Sequence, residues 1–396
     1  MLSPKDWYKF ENGWSFIVKR MKNKLKLITI VGTRPEIIRL SEVLKMADKY
    51  FDHKLIHTGQ NYDYELNGIF FKELGLRNPD YVLNCAGKDL GETMGNVIAK
   101  TYDILKKENP DAVLVLGDTN SALSAIAAKR LKLPIFHMEA GNRCWDWNVA
   151  EMTNRTIVDH ISDVNLPYTE NSRLYLIKEG VDPKRIFVTG SPMREVIEAH
   201  REEIEKAGTA EKLGLKEGEY IILSAHREEN IDIDSNLDEL VSSINAIAEK
   251  YQVPVIYSLH PRSRKKLEAR GIKLHPLVRE MKPFGFFEYV NLEKHAKVVI
   301  SDSGTLTEEA SIVGFPAVLI RTSTERPEGL DEGNIIVGGI KKIDVLRAVQ
   351  LAISMHTNHD DNYELHRNYE NTDVASKVIK IIQSYYHIIK KETWLQ

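Results

Sequence analysis

The chain has 396 residues, enough for two domains with separate cores. Its 54 basic and 57 acidic residues leave a net charge of −3, so no global field favours nucleic acid or an anionic membrane. No apolar run approaches the ~18 residues of a spanning helix, and the two cysteines, Cys85 and Cys144, have no metal-type or CxxC spacing, which points to a reducing, cytoplasmic compartment.

Residues 1–24 read as an N-terminal extension, with Trp7, Trp14 and charges throughout and no apolar core of a signal peptide. Short β-branched runs then alternate with longer helical stretches. Strands are expected at Leu25–Val31, His53–Thr58, Ala112–Leu116, Ile135–Met138, Val164–Leu166 and Ile186–Val188, with helices at Glu36–Tyr50, Glu92–Glu108 and Ser121–Leu131. A second series follows Gly190, with strands at Tyr220–Ser224, Val255–Leu259, Lys297–Ser301 and Ala317–Ile320, and helices that include Ile233–Lys250 and Thr305–Val313. Asp373–Ile389 forms a last amphipathic helix. The alternation predicts an α/β protein with parallel sheets in two units, 25–190 and 191–372, joined near Gly190–Arg194. Ligands of open α/β sheets bind at the carboxyl ends of the strands, which places a cleft between the units. There is no G-x-G-x-x-G and no G-x-x-x-x-G-K-[ST], which argues against a dinucleotide cofactor or ATP.

The polar motifs fall just after expected strands. Gly32-Thr33-Arg34-Pro35-Glu36 sits at the first strand-to-helix turn, where Arg34 either reaches the cleft or pairs with a carboxylate such as Glu36. Asp118, in Gly117-Asp118-Thr119, is an acid/base candidate or a helix cap. His137-Met138-Glu139-Ala140-Gly141-Asn142-Arg143 repeats the pattern of strand, carboxylate, glycine and arginine. Glu151 and Arg155 stand i,i+4 on one helix, so a surface ion pair is the plain alternative to a site role. His226-Arg227 and His260-Pro261-Arg262 end two strands of the second unit and suit a phosphate-facing wall. Tyr289 is either a base-stacking ring or a core aromatic.

Ser301-Asp302-Ser303-Gly304-Thr305 leads a strand into a helix start whose free N–H groups attract anions. Glu308 and Glu309 follow one turn in, placed to accept from a sugar. Arg326 supplies a fork suited to a diphosphate. A capping box, Thr305-x-x-Glu308, is the competing reading of that helix start.

These segments, with His57-Thr58-Gly59-Gln60, Asn154-Arg155 and Glu325-Arg326-Pro327-Glu328-Gly329, occur in the order seen in the non-hydrolysing UDP-N-acetylglucosamine 2-epimerases, and the chain resembles that family from Leu25 to the last helix. The resemblance implies a GT-B fold, two Rossmann-like domains around a UDP-sugar cleft with the final helix (373–396) returning to the first domain. It implies a homodimer, with no cofactor or metal. By motif position, Arg34, His226, Ser303, Gly304 and Arg326 are expected at the diphosphate, Glu309 at the ribose and Tyr289 at the uracil. Asp118, Glu139, Glu151 and His226 form the expected catalytic set, and Arg143, Arg155 and His260 complete the substrate-binding set.

Three departures surround the sugar. Met152 stands where the family has a second glutamate, Arg39 where it has lysine, and Glu228 where it has arginine. The segments His57–Asn67, Gly141–Asp146 and His260–Arg264 are similar to the capsule and O-antigen branch, which inverts C2 of UDP-2-acetamido-2,6-dideoxy-L-talose to give UDP-N-acetyl-L-fucosamine. Interconversion of UDP-GlcNAc and UDP-ManNAc is the alternative. A GT-B glycosyltransferase, a hydrolysing epimerase and a nucleotide-sugar sensor are more distant ones.

Overall fold

The computed structural model describes residues 24–59, 64–361 and 365–396. The expected extension lies, apart from Lys24, outside them, as do residues 60–63 of the motif that starts at His57.

Six strands, β1 (Lys26–Val31), β2 (Asp52–His57), β3 (Tyr81–Val82), β4 (Ala112–Leu116), β5 (Ile135–Met138) and β6 (Val164–Leu166), form one sheet in the order β3-β2-β1-β4-β5-β6. Six more, β7 (Ile221–Ser224), β8 (Val255–Ser258), β9 (Val278–Met281), β10 (Val298–Ser301), β11 (Ala317–Leu319) and β12 (Ile336–Val337), form a second in the order β12-β11-β10-β7-β8-β9. Every pairing is parallel. The central strands β1, β4 and β10 are nearly continuous buried apolar runs, as sheets covered by helices on both faces require.

Both sheets wind in the same doubly wound order, outward from β1 and β4 in one and from β7 and β10 in the other. The architecture is GT-B: two Rossmann-like domains. Each sheet reverses its winding at one point, and there the turns after neighbouring strands splay apart to open a crevice. In the first domain the flanking turns are 32–36 and 117–120. In the second they are 225–227 and 302–305.

The helix Arg34–Tyr50 buries Ile37, Leu40, Leu44 and Ala47, a 3.6-residue stripe facing β1 and β2. The final helix, Val374–Trp394, buries Val374, Ala375, Val378, Ile379 and Ile382 in the same core. Each such side chain stabilises the docking by roughly 1.5–3 kcal/mol, so the carboxyl-terminal helix is an integral part of the first domain.

Three expectations change. Ile186–Val188 is no strand: Ile186 makes an isolated bridge to Asn165 beside the edge strand β6, and the chain then leaves the sheet to cross to the second domain. The expected helix Ser121–Leu131 is split into a 3₁₀ turn, Asn120–Leu123, and a helix, Ser124–Arg130. The edge strands β3, β9 and β12 are unmarked in the sequence because they are short and lack a buried apolar face.

Candidate active site

At the first crevice, Glu36 ties the two flanking turns together. It accepts from the Gly32 amide at 3.0 Å and the Thr33 hydroxyl at 2.7 Å, and on its other oxygen from Ser121 beyond β4. Burial pushes its carboxyl up to about 7, against the pull of these hydrogen bonds. Arg34 lies over the Phe70 ring, 5.7 Å from its centroid.

Gly117 ends β4 at φ +69° and delivers Asp118 to the crevice. The Asp118 carboxylate contacts Arg155, while its carbonyl accepts from Asn154 at 2.9 Å. Asp118 is therefore not a cap; Thr119 holds the N-cap position of the following 3₁₀ turn. Adjacent helical residues Asn154 and Arg155 grip both ends of this one residue. Glu151, one turn earlier, is 40% exposed and lies 3.9 Å from Arg227 of the second domain. The surface pair between Glu151 and Arg155 gives way to a contact of each with another element.

β5 leads directly into Glu139, which adopts φ +62°, a conformation L-residues with side chains seldom occupy. The turn delivers its carboxylate to Arg39, to Arg326 at 3.0 Å and to Asn142 at 3.4 Å. Gly141 follows at φ +81°, where a Cβ would fall 2.4 Å from the Ser172 carbonyl oxygen. Arg143, expected at the substrate, has another role. Its buried guanidinium pairs with Asp159 at 2.7 Å and Glu179 at 2.6 Å, fastening the turn after β5 to two helices.

In the second domain, Asp302 after β10 ties down the turn after β7. It accepts from the His226 and Arg227 amides at 2.9 Å each and from Asn230 at 3.0 Å. Its second oxygen lies 3.2 Å from Nδ1 of His226, whose ring is 45% exposed and 6.2 Å from that of His260. Burial opposes its charge, but His226, the Arg227 amide and Asn230 hold Asp302 down to about 2. His260 caps the helix Pro261–Ala269, its Nδ1 accepting from the Arg262 amide at 3.3 Å.

The capping-box reading of the next helix fails. Thr305 makes no side-chain cap; its hydroxyl donates to Glu309 at 3.0 Å and meets that of Ser303 at 2.9 Å. Burial pushes Glu309 up to about 7. Burial, then the charges of Glu293 and Glu309, push the Tyr289 hydroxyl well above its usual range, against a hydrogen bond with Ser224 at the end of β7. Gly304 offers its carbonyl to Nε of Arg326 at 2.9 Å.

The domains meet in a closed quartet. Arg39 and Glu139 come from the first domain, Glu308 and Arg326 from the second. Each arginine pairs with each glutamate: Arg39 with Glu139 and, at 3.0 Å, Glu308, and Arg326 with Glu139 at 3.0 Å and Glu308 at 2.5 Å. No side chain of the four is more than 8% exposed. Two positive and two negative charges cancel, which is how four ions tolerate such burial. Glu308, read from sequence as a sugar acceptor, is instead filled by arginines. Arg39 stood out only as a departure from a family pattern. Its signal was a cation inside the apolar stripe of a helix, where a partner must exist.

The two carboxylates after β4 and β5 are driven apart electrostatically. Burial raises Asp118, against Arg155 and with Glu139, Glu151 and Glu325 adding to the rise. Burial also works on Glu139, but Arg39, Arg326 and Arg155 outweigh it and hold that carboxyl low. Paired carboxyls of opposed proton affinity are the equipment of acid–base chemistry. Beside them stands Arg326, whose Nη1 is buried and has no hydrogen-bond partner among the described residues.

Comparisons with known proteins identify the family and the fold. Residues 45–383 match the family model described as UDP-N-acetylglucosamine 2-epimerase. A UDP-N-acetylglucosamine 2-epimerase of Methanococcus maripaludis is 39% identical over 338 residues, covering 82% of this chain and 91% of the relative. The structure of a UDP-N-acetylglucosamine 2-epimerase from Rickettsia bellii superposes with a TM-score of 0.87 at 44% identity, covering 94% of this chain and all of the other. A Methanocaldococcus jannaschii UDP-GlcNAc 2-epimerase, solved in complex with UDP-GlcNAc and UDP, gives 0.85 at 33% identity over 91% of this chain and all of its own. The chain belongs to the UDP-N-acetylglucosamine 2-epimerase family, the non-hydrolysing isomerases that act on UDP-sugars.

Proposed function

We propose that the protein inverts C2 of a UDP-N-acetylhexosamine by eliminating UDP and adding it back. The C2 proton of an amino sugar has no neighbouring carbonyl, so its direct removal faces a prohibitive barrier. When the C1–O bond breaks and UDP leaves with the electron pair, C1 gains oxocarbenium character and the C2 proton becomes acidic. A base takes that proton and a 2-acetamidoglycal forms. UDP then returns to C1 as a proton is delivered to the opposite face of C2.

The observation that carries this reading is the opposed pair Asp118 and Glu139 beside Arg326. The scheme needs proton-transfer groups on two faces of a ring and cations for the departing diphosphate. Asp118, Glu139 and Glu151 are assigned the proton transfers, and Arg34, His226 and Arg326 the diphosphate, with Ser303 and Gly304 beside them. Glu309 is assigned the ribose, Tyr289 the uracil, and Arg155 and His260 support the substrate side. Turnover in D2O tests the scheme: the product gains deuterium at C2, and retention of the original hydrogen rules it out.

For the sugar, we favour UDP-2-acetamido-2,6-dideoxy-L-talose, converted to UDP-N-acetyl-L-fucosamine for capsule or O-antigen. Support comes from the departures beside the catalytic carboxylates. Met152, in place of a second glutamate, is buried with its sulfur 3.8 Å from Nη1 of Arg155. Without a second carboxylate there, the helix offers one acceptor fewer for a sugar hydroxyl, which suits a 6-deoxy sugar. UDP-GlcNAc is the second reading, favoured by the named activity of the relatives. Product NMR after separate incubations with UDP-N-acetyl-L-fucosamine and UDP-GlcNAc decides between them.

A further inference from the structure

Three parts of the chain converge on the Glu308 carboxylate. Oε1 takes Arg39 of the first domain at 3.0 Å and Arg326 of the second at 2.5 Å. Oε2 takes the hydroxyl of Ser191, which lies on the crossover between the domains. Ser191 is itself fixed from both sides. Its oxygen accepts from the Met193 amide at 3.2 Å, and its own amide donates to the Asn368 carbonyl at 2.9 Å, on the segment that carries the chain back. Gly190, at φ +87°, has no room for a side chain: a Cβ would fall 2.4 Å from Nδ2 of Asn371. The two crossovers are thus packed against each other at the point where Glu308 is anchored.

We infer that Glu308 is a positioning residue that ties the quartet to the crossover, and that Ser191 acts through it. The inference rests on the proposed role of Arg326 at the diphosphate. Rotation of one domain about the crossovers stretches the contacts between Arg39 and Glu308 and between Arg326 and Glu139, because both span the cleft. The hydroxyl of Ser191 holds the Glu308 carboxylate in the one orientation that serves both arginines. Domain separation and the placing of Arg326 against Glu139 are therefore set together. A carboxylate that merely neutralised buried charge would need no bond to the crossover.

A double-mutant cycle on the full chain tests this with Ser191→Ala and Glu308→Gln, reading kcat, UDP affinity, melting temperature and the radius of gyration in saturating UDP. Ser191→Ala removes the bond to Glu308 and the one from the Met193 amide and touches neither arginine; it lowers kcat by about threefold to tenfold in a chain that stays folded at the assay temperature, the lost bonds showing only as a lower melting temperature. UDP affinity stays within about twofold, since Arg326 keeps Glu139 and the Gly304 carbonyl. Glu308→Gln lowers kcat by more than about a hundredfold and enlarges the UDP-bound particle. The double variant is no slower than Glu308→Gln alone. Additive losses, or a Ser191→Ala enzyme as fast as wild type, overturn the inference, and the second result decides even if Glu308→Gln fails to fold. The radius of gyration needs only UDP. Expansion in both single variants supports the strut even for a wild-type enzyme that epimerises nothing, an outcome that counts against the proposed reaction instead.

Discussion

Arg326 of the second domain donates to Glu139 of the first at 3.0 Å, so the arginine assigned to the diphosphate is already paired across the cleft with a carboxylate assigned to proton transfer. A diphosphate arriving at Arg326 takes a share of its charge. Glu139 then loses part of the field that holds its carboxyl low, and becomes the stronger base when leaving group and sugar are both present. The Arg326→Lys variant keeps the charge and loses the fork. UDP affinity measured by calorimetry is expected to fall by about tenfold to a hundredfold, the worth of one charge-assisted hydrogen bond. Unchanged affinity would remove Arg326 from the diphosphate site.

Asp118 separates chemistry from binding. Its amide isostere, Asp118→Asn, retains an oxygen for Arg155 and the carbonyl for Asn154, so the turn after β4 survives. Turnover is expected to drop by roughly 10²- to 10⁴-fold, the usual contribution of a positioned acid or base, with UDP affinity changed only a few-fold. Near-normal turnover would reduce Asp118 to a clamp for Arg155.

Much of the scaffold was legible because a strand buried on both faces announces itself. Runs such as Ala112–Leu116, ending in glycine and a charged residue, mark both a central strand and its functional carboxyl end. Edge strands such as β9, half exposed and rich in charge, carry no such signature. The site was legible in its residue types more than in its partners. The motif after β5 put Glu139 in the catalytic set and Arg143 in the substrate-binding set, yet Arg143 closes on Asp159 and Glu179 while the arginines at Glu139 are Arg39 and Arg326. Those two lie far away in the chain and on both domains, and local spacing holds no information about such pairs. Thr305 and Glu308 fit a capping box by spacing alone, and the tertiary pull of Arg39, Arg326 and Ser191 overrides it.

The backbone at Glu139 predicts an inverted stability order. At φ +62° a Cβ is unfavourable, so glycine fits this position better than alanine. Both Glu139→Ala and Glu139→Gly remove the carboxylate and are expected to be inactive. The glycine variant is expected to be the more stable by about 1 kcal/mol, whereas at an ordinary helical position it would be the less stable by a similar amount. Urea denaturation of the two variants makes the comparison, and an alanine variant as stable as the glycine one would show that the turn relaxes. The strain persists in the wild type because it aims a carboxylate at two arginines.

Glu36 gives a pH signature that belongs to stability. Its carboxyl is raised from 4.5 to about 7 by burial, so the folded state binds this proton more tightly than the unfolded state. The resulting stabilisation is complete below the unfolded value of 4.5 and is lost as pH rises through about 7. Glu36→Gln has no proton to lose. Its amide oxygen still accepts from the Gly32 amide and Thr33, and its NH₂ donates to Ser121, whose hydroxyl then turns to accept. The variant is expected to match the wild type near pH 4.5 and to exceed it at pH 8 by up to about 3 kcal/mol, the free energy of a shift of this size. Melting curves of both proteins between those limits check it. Parallel curves would mean that Glu36 stays ionised in the fold, held by its donors despite burial.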